Sequence, residues 1–321
     1  MKETPLRVGV VGVGNMGRNH LRVLSSMGEY ELVGCFDTNR EACIEQAAQY
    51  QITAFEKQDD LFSNVDVASI AVPSSLHRTS AVSAAKAGRH ILVEKPIALS
   101  IEDADAIIMA CNEAQVKLCV GHIERYNPAV TTLQNVLARE NILTATFERM
   151  SPPVPRIFDT SVVEDLMIHD IDVLLSLNHS PIKRITSHGV KIYSDSLDYV
   201  QALIAFENGV LASLTASRIT EAKIRTARIS AERSFISVDY LNRTVEISRK
   251  TNFSLDVGYA IQYTQENIIE KIMVPITEPL RAEFEHFAQC INYNRKVATN
   301  GETAKQALLV CQQIQDIALE G

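Results

Sequence analysis

The segment Leu6 to Gly17, LRVGVVGVGNMG, decides how the rest of the chain is read. Val8, Val10, Val11 and Val13 make a short, nearly continuous apolar run, which suits a strand buried on both faces of a parallel sheet. Gly12, Gly14 and Gly17 then fall in the spacing G-x-G-x-x-G. The first glycine permits a tight turn, the second lets a phosphate approach the backbone, and the third lets the following helix pack closely. With Asn15 and Met16 inside the turn, a helix expected over residues 16–27 aims its free N–H groups at a pyrophosphate.

Outward from this segment, Glu31 to Phe36 reads as a second strand with Asp37 at its end, where a carboxylate accepts hydrogen bonds from an adenosine ribose. Strand, glycine turn, helix, strand and acid agree on a dinucleotide site; the alternative for Asp37 is a cap on the helix expected over 39–49. A carboxylate there repels a 2'-phosphate and favours NAD. Arg40 keeps NADP open, because its guanidinium can pair with such a phosphate if it is not simply a solvated charge on a helix face.

At 321 residues the chain has room for two domains, each with its own core, and 46% hydrophobic with 22% charged residues is the composition of a soluble globular protein. A net charge of -8 argues against a nucleic-acid partner but leaves an anionic small molecule open through local arginines. Cys35, Cys43, Cys111, Cys119, Cys290 and Cys311 contain no C-x-x-C pair and sit mostly among apolar neighbours. They read as reduced thiols of a cytoplasmic protein, with neither disulfide nor zinc site. No apolar leader precedes the first strand and no long apolar run occurs, so neither export nor membrane insertion is expected.

Helix and strand then alternate: helix 39–49, strand 52–55, an acidic turn at Asp59 and Asp60, and strand 65–72, the construction of a doubly wound parallel sheet. Ligands bind at the carboxyl edge of such sheets, which makes Pro73 and Ser74 candidates for cofactor contact. His77, just inside the next helix, reads equally as a helix N-terminal residue. The fifth strand ends in Glu94-Lys95-Pro96, where the proline halts the ladder. Lys95 there is either a cation beside the nicotinamide or the partner of Glu94 on the surface. The first domain is expected to span 1–122 and the second 123–321, with Arg125, Tyr126 and Asn127 as candidate substrate contacts or interdomain tethers.

Beyond Asn141 successive strands replace the alternation, with a hairpin signal at Glu207-Asn208-Gly209, which predicts a largely antiparallel open sheet in an α+β second domain. A broad sheet with one open face suits an oligomer interface. Residues 251–278 read as an arm to a neighbouring subunit or a loop excursion.

One predicted helix of this domain, Val162 to Leu177, carries Asp165, His169 and Asp172 at i, i+4 and i+7, on one face of an otherwise apolar element. Burying such groups is costly unless they are paired or reach a cleft. Three readings stay open: a metal site, a structural hydrogen-bonded cluster, and a general acid/base in which His169 takes a hydroxyl proton as hydride leaves the adjacent carbon. No second histidine at helical spacing completes a metal set.

The glycine fingerprint, Glu94-Lys95-Pro96 and Asp165-x-x-x-His169, in that order, resemble the Gfo/Idh/MocA oxidoreductases over nearly the whole chain. The resemblance implies an N-terminal Rossmann domain, a C-terminal open sheet that builds homodimers or homotetramers, and NAD(P)-dependent oxidation or reduction of a sugar hydroxyl. It implies that Lys95 binds the reacting oxygen, that His169 is the acid/base, and that Asp165 holds substrate or histidine; Asp172 matches a commonly acidic position. GHIERYNPAV (121–130) and EDLMIHDIDVLL (164–175) are similar to the branch that dehydrogenates UDP-N-acetylglucosamine at C3. A diphosphate needs positive charge, for which Arg125, Arg149, Arg156 and Arg218 are candidates. An inositol or free-sugar dehydrogenase, and a catalytically idle NAD-binding sensor, are the alternatives.

Overall fold

A computed structural model describes residues 4–153, 160–193, 195–250, 257–258, 260–261 and 267–320. Two compact units divide the chain, one built from residues 1–126 with 277–309 and the other from 127–276 with 310–321.

The first unit begins with β1 (Leu6–Val11), α1 (Asn15–Leu24), β2 (Tyr30–Phe36), α2 (Arg40–Tyr50), β3 (Thr53–Ala54) and α3 (Gln58–Asn64). It continues through β4 (Val67–Ile70), α4 (His77–Lys86), β5 (His90–Glu94), α5 (Ile101–Glu113) and β6 (Leu118–Gly121). All strand pairs are parallel and the order is β3-β2-β1-β4-β5-β6, so the sheet is doubly wound outward from β1 and β4. Val8, Val10 and Val11 are wholly buried, as a strand covered on both faces requires. Asp59 and Asp60, expected in a turn, lie in the first turn of α3, where the partial positive charge of a helix start favours acids. At seven residues α3 is too short to show a helical period in the sequence.

The second unit carries α6 (Pro128–Leu137), β7 (Ile142–Met150), α7 (Ile168–Leu177), β8 (Ile182–Val190), β9 (Tyr199–Phe206), β10 (Leu211–Ser217), β11 (Ile224–Ala231), β12 (Ser234–Asp239), β13 (Thr244–Lys250) and β14 (Asn267–Met273). These eight strands form one sheet in the order β14-β13-β12-β11-β7-β10-β9-β8, antiparallel except where β7 and β10 run together. Strand β14 falls in the stretch expected to be an arm or excursion; 251–256, 259 and 262–266 of that stretch lie outside the described residues. Val200, Ala202, Ile204 and Phe206 point to the core from β9, while Leu203, Leu211, Phe235 and Ile269 are exposed on the opposite face of the sheet.

The chain then contributes α8 (Pro279–Asn292) and the first half of α9 (Gly301–Glu320) to the first unit. Leu280, Phe284 and Phe287 of α8 join the core formed by Val8, Leu21 and Leu24, and the Tyr30 hydroxyl donates to the Phe284 carbonyl at 2.8 Å. No helix among the described residues is long and apolar enough to cross a membrane.

Candidate active site

Two of the three fingerprint glycines have a steric reason within the protein. Gly12 has φ +89°, and a Cβ there would lie 2.5 Å from the Ala71 carbonyl oxygen. A Cβ on Gly17 would lie 1.8 Å from the Gly12 carbonyl oxygen, so α1 sits against the turn only because that carbon is missing. Gly14 differs: a Cβ would meet nothing within 4 Å, and as the residue preceding α1 it places no side-chain cap on the first N–H groups. Open space beside a helix start is the cradle that a pyrophosphate fits. Asn15 and Met16 are exposed beside it.

Asp37 does not cap α2; Asn39 does, accepting from the Ala42 N–H at 3.1 Å. The Asp37 carboxylate instead accepts the N–H groups of Val13 and Asn39, each at 2.7 Å, which fixes it at the end of β2 beside the glycine turn. A carboxylate has further lone pairs for ribose hydroxyls. The Arg40 guanidinium donates to the carbonyls of Ala54 and Phe55 at 3.0 and 2.8 Å, along β3. This turn therefore fits a dinucleotide.

Further along the carboxyl edge, Pro73 is exposed and Ser74 opens a short 3-10 turn. His77 starts α4 and is buried, with Nδ1 2.8 Å from the Pro96 carbonyl oxygen and Nε2 3.0 Å from that of Val72. Burial holds its pKa below the usual histidine value. The Lys95–Pro96 bond is cis, and Lys95 is half-buried.

Glu94 is nearly enclosed. Burial alone would raise its pKa, but the hydrogen bond from His20, the His20 and Lys95 charges and the Lys95 N–H outweigh that and bring it below the ordinary carboxylate value. His20 Nε2 donates to Oε1 at 2.9 Å, and the Lys95 N–H reaches Oε2 at 3.3 Å. The other His20 nitrogen is 2.7 Å from the Ser69 hydroxyl oxygen. A Cβ on Gly121 would lie 3.0 Å from Glu94 Oε2, so this glycine makes room for the carboxylate. His20 and Ser69 were not among the residues expected from the sequence. The available signal was the buried stripe Gly17, His20, Leu21, Leu24 of α1, which places an imidazole on the inward face.

Arg125 donates to the Ala298 carbonyl at 3.3 Å, and the buried Tyr126 hydroxyl lies 3.3 Å from that of Thr299. Asn127, in the second unit, caps α6 by accepting the Ala129 N–H at 3.0 Å.

In the second unit the expected regular helix begins instead as a π-turn, Val163–Met167, that runs into α7. Such turns occur frequently at functional sites. Asp165 lies in the π-turn and His169 in the first turn of α7, both half-buried, whereas Asp172 is 2% exposed. Arg149 on β7 is likewise 2% exposed and makes a two-pronged pair with Asp170, at 3.0 and 2.8 Å, so its charge is met inside the core of this unit. Arg218 is buried with Asp198 at 3.6 Å and also donates to the Thr160 carbonyl. Arg156 lies outside the described residues. Among the described residues, no three His, Cys, Asp or Glu side chains gather as a metal ion needs.

Comparison with known proteins matches residues 6–122 to the oxidoreductase family with an NAD-binding Rossmann fold, and residues 142–236 to the GFO/IDH/MocA C-terminal domain. UDP-N-acetylglucosamine 3-dehydrogenase of Acidithiobacillus ferrooxidans is 34% identical over 316 residues, covering 98% of this chain and 97% of the relative. A solved structure of that enzyme superposes with a TM-score of 0.90 at 33% identity, covering 98% of each chain. Inositol 2-dehydrogenase of Rhizobium meliloti is 25% identical, with 94% of each chain covered.

Proposed function

This chain belongs to the Gfo/Idh/MocA oxidoreductase family, and from that premise we propose that it is an NAD-dependent dehydrogenase of a nucleotide sugar, acting at C3 of UDP-N-acetylglucosamine. The observation that carries the cofactor half of the reading is the glycine turn, open at Gly14 and flanked by Asp37, whose carboxylate favours ribose hydroxyls over a 2'-phosphate. Arg40, held along β3, accords with NAD rather than NADP. The substrate half rests on full-length similarity to the Acidithiobacillus enzyme.

NAD, when bound, supplies the hydride acceptor. The Lys95 ammonium binds the reacting hydroxyl oxygen and stabilises the negative charge that develops on it. His169 removes the hydroxyl proton as the C–H bond breaks with its electron pair, leaving a ketone, and returns that proton in the reverse direction. Asp165 orients the imidazole or holds the sugar, and Asp172, 2% exposed on the same helix, is a further candidate on the substrate's side. Glu94, Pro73, Ser74 and His77 shape the cofactor's surroundings, while Arg125, Tyr126 and Asn127 belong to the substrate's. We place the protein in the cytoplasm, in line with six free, buried cysteines, and as a homodimer or homotetramer through the sheet face bearing Leu203, Leu211, Phe235 and Ile269.

The test is to incubate purified protein with NAD or NADP and either UDP-N-acetylglucosamine or myo-inositol, and to follow reduced nicotinamide in steady-state and single-turnover modes. Reduction with the nucleotide sugar and NAD is expected. Turnover with myo-inositol alone moves the assignment to the free-polyol reading, and cofactor binding without turnover on either moves it to a sensor.

A further inference from the structure

Three polar side chains from three elements of the first unit, two of them fully buried and the third nearly enclosed, form a continuous chain that ends on the backbone of Lys95. Ser69 lies in the middle of β4, His20 on the inward face of α1 and Glu94 at the end of β5; Ser69 and His20 are both 0% exposed. The links are 2.7 Å from Ser69 Oγ to His20 Nδ1, 2.9 Å from Nε2 to Glu94 Oε1, and 3.3 Å from Glu94 Oε2 to the Lys95 N–H. The order serine, histidine, carboxylate is that of a hydrolytic triad, but a serine with no exposed surface inside a strand can reach no substrate. A hydrolase reading fails on that ground.

The arrangement acts on Lys95 instead. A lysine has four rotatable bonds and places its ammonium well only if its own backbone is fixed. Here the backbone is gripped on both sides. Glu94 takes the Lys95 N–H, and on the far side the carbonyl of Pro96 lies 2.8 Å from His77 Nδ1. Glu94 is held in turn, because His20 takes its other oxygen and the carboxylate packs against Gly121, where a Cβ would lie 3.0 Å from Oε2. His20 cannot turn either: its ring is pinned by Ser69 on one nitrogen and stands edge-on to Phe284, centroids 5.3 Å apart.

We propose that Ser69–His20–Glu94 is a positioning relay that fixes the strand end carrying Lys95 and so aligns the ammonium with the reacting oxygen. His20 and Ser69 are positioning residues that touch neither substrate nor cofactor. The inference rests on the proposed function for the role of Lys95.

The experiment compares wild type, His20→Ala, His20→Gln and Ser69→Ala with NAD and with UDP-N-acetylglucosamine carrying protium or deuterium at C3. Expected for His20→Ala is a fall in kcat of about tenfold to a hundredfold, the cost of a misplaced group. NAD affinity should change less than about twofold, and the primary isotope effect should rise as hydride transfer becomes limiting. His20→Gln, whose amide can still donate to Glu94, should recover part of the loss. A wild-type kcat and isotope effect in His20→Ala, with only a lowered melting temperature, overturns the relay. If His20→Ala does not fold, wild-type kcat and isotope effects in both His20→Gln and Ser69→Ala overturn it. Absence of turnover with UDP-N-acetylglucosamine in wild type strikes the substrate assignment alone, and the same comparison with myo-inositol then decides the relay; a wild type that oxidises neither overturns the relay, since Lys95 then has no reacting oxygen to meet.

Discussion

Replacing Gly14 by alanine separates what the glycine turn does for the fold from what it does for the cofactor. At φ -67° and ψ -163° the backbone accepts alanine, and the added methyl has no heavy atom within 4 Å. Alanine is a poorer residue than glycine before a helix by about 0.5–1 kcal/mol, and it stabilises by a similar amount through the unfolded chain, so the two effects roughly cancel. The melting temperature should then stay within about 3 °C of wild type. The methyl nevertheless fills the space that a pyrophosphate needs at the start of α1. Losing one charge-assisted hydrogen bond there costs about 1.5–3 kcal/mol, which converts to a Kd for NAD weakened by about tenfold to a hundredfold. Calorimetric titration with NAD, beside a thermal melt of the same sample, measures both. Gly17→Ala is the contrasting control: its methyl, 1.8 Å from the Gly12 carbonyl oxygen, forces α1 away and should cost about 2 kcal/mol or more of stability. A Gly14→Ala protein that melts normally and binds NAD within twofold of wild type would refute the assignment of this turn to the cofactor.

Other outcomes follow from the same geometry. His169→Ala should lower kcat by about a hundredfold or more while NAD affinity stays near wild type, and unchanged turnover removes His169 from the chemistry. Asp37→Ala should weaken NAD and improve NADP relative to it, as read by the ratio of the two kcat/KM values; an unchanged ratio means the carboxylate does not meet the ribose. Arg149→Met should destabilise by about 3–5 kcal/mol in chemical denaturation, because it strands the buried Asp170 charge, and adding Asp170→Leu should restore much of this. Burial lowers the pKa values of His77, His90 and His286 in the folded state, so the unfolded chain takes up protons first on acidification. Stability is therefore complete above about pH 6.5 and declines as pH falls from there through the lower folded values; denaturant midpoints that rise between pH 7.5 and 5.5 contradict it.

The opening of the parallel half is legible in sequence because the devices it uses are local, whereas the return of α8, residues 279–292, to complete its core is not announced there. A valine run, three glycines and an acid at fixed spacing specify strand, turn, helix and strand with no knowledge of distant residues. Strand β14 is harder: NIIEKIM has four apolar residues in seven but shows no alternation, because it is an outer strand of the sheet with Ile268, Ile269 and Met273 all exposed, and no buried face sets one. The π-turn over Val163–Met167 is invisible, since one turn of wider helix leaves the apolar pattern almost unchanged. Among the candidate diphosphate ligands, Arg149 and Arg218 carry nothing in their neighbouring residues to announce the buried Asp170 and Asp198 that meet them. His20 shows the opposite case, a long-range partner that the helical stripe does hint at.

The return of residues 277–309 to the first unit has a consequence for synthesis. Leu280, Phe284 and Phe287 complete a core that β1 and α1 began, and the ribosome delivers them only after the 127–276 stretch of the other unit, about 150 residues later. At ordinary elongation rates that is a wait of roughly 8–30 s, during which the nascent sheet shows its uncovered valines and leucines to any chaperone or sticky neighbour. Translation speed through the intervening stretch should therefore govern how much of this chain reaches the cell in usable form.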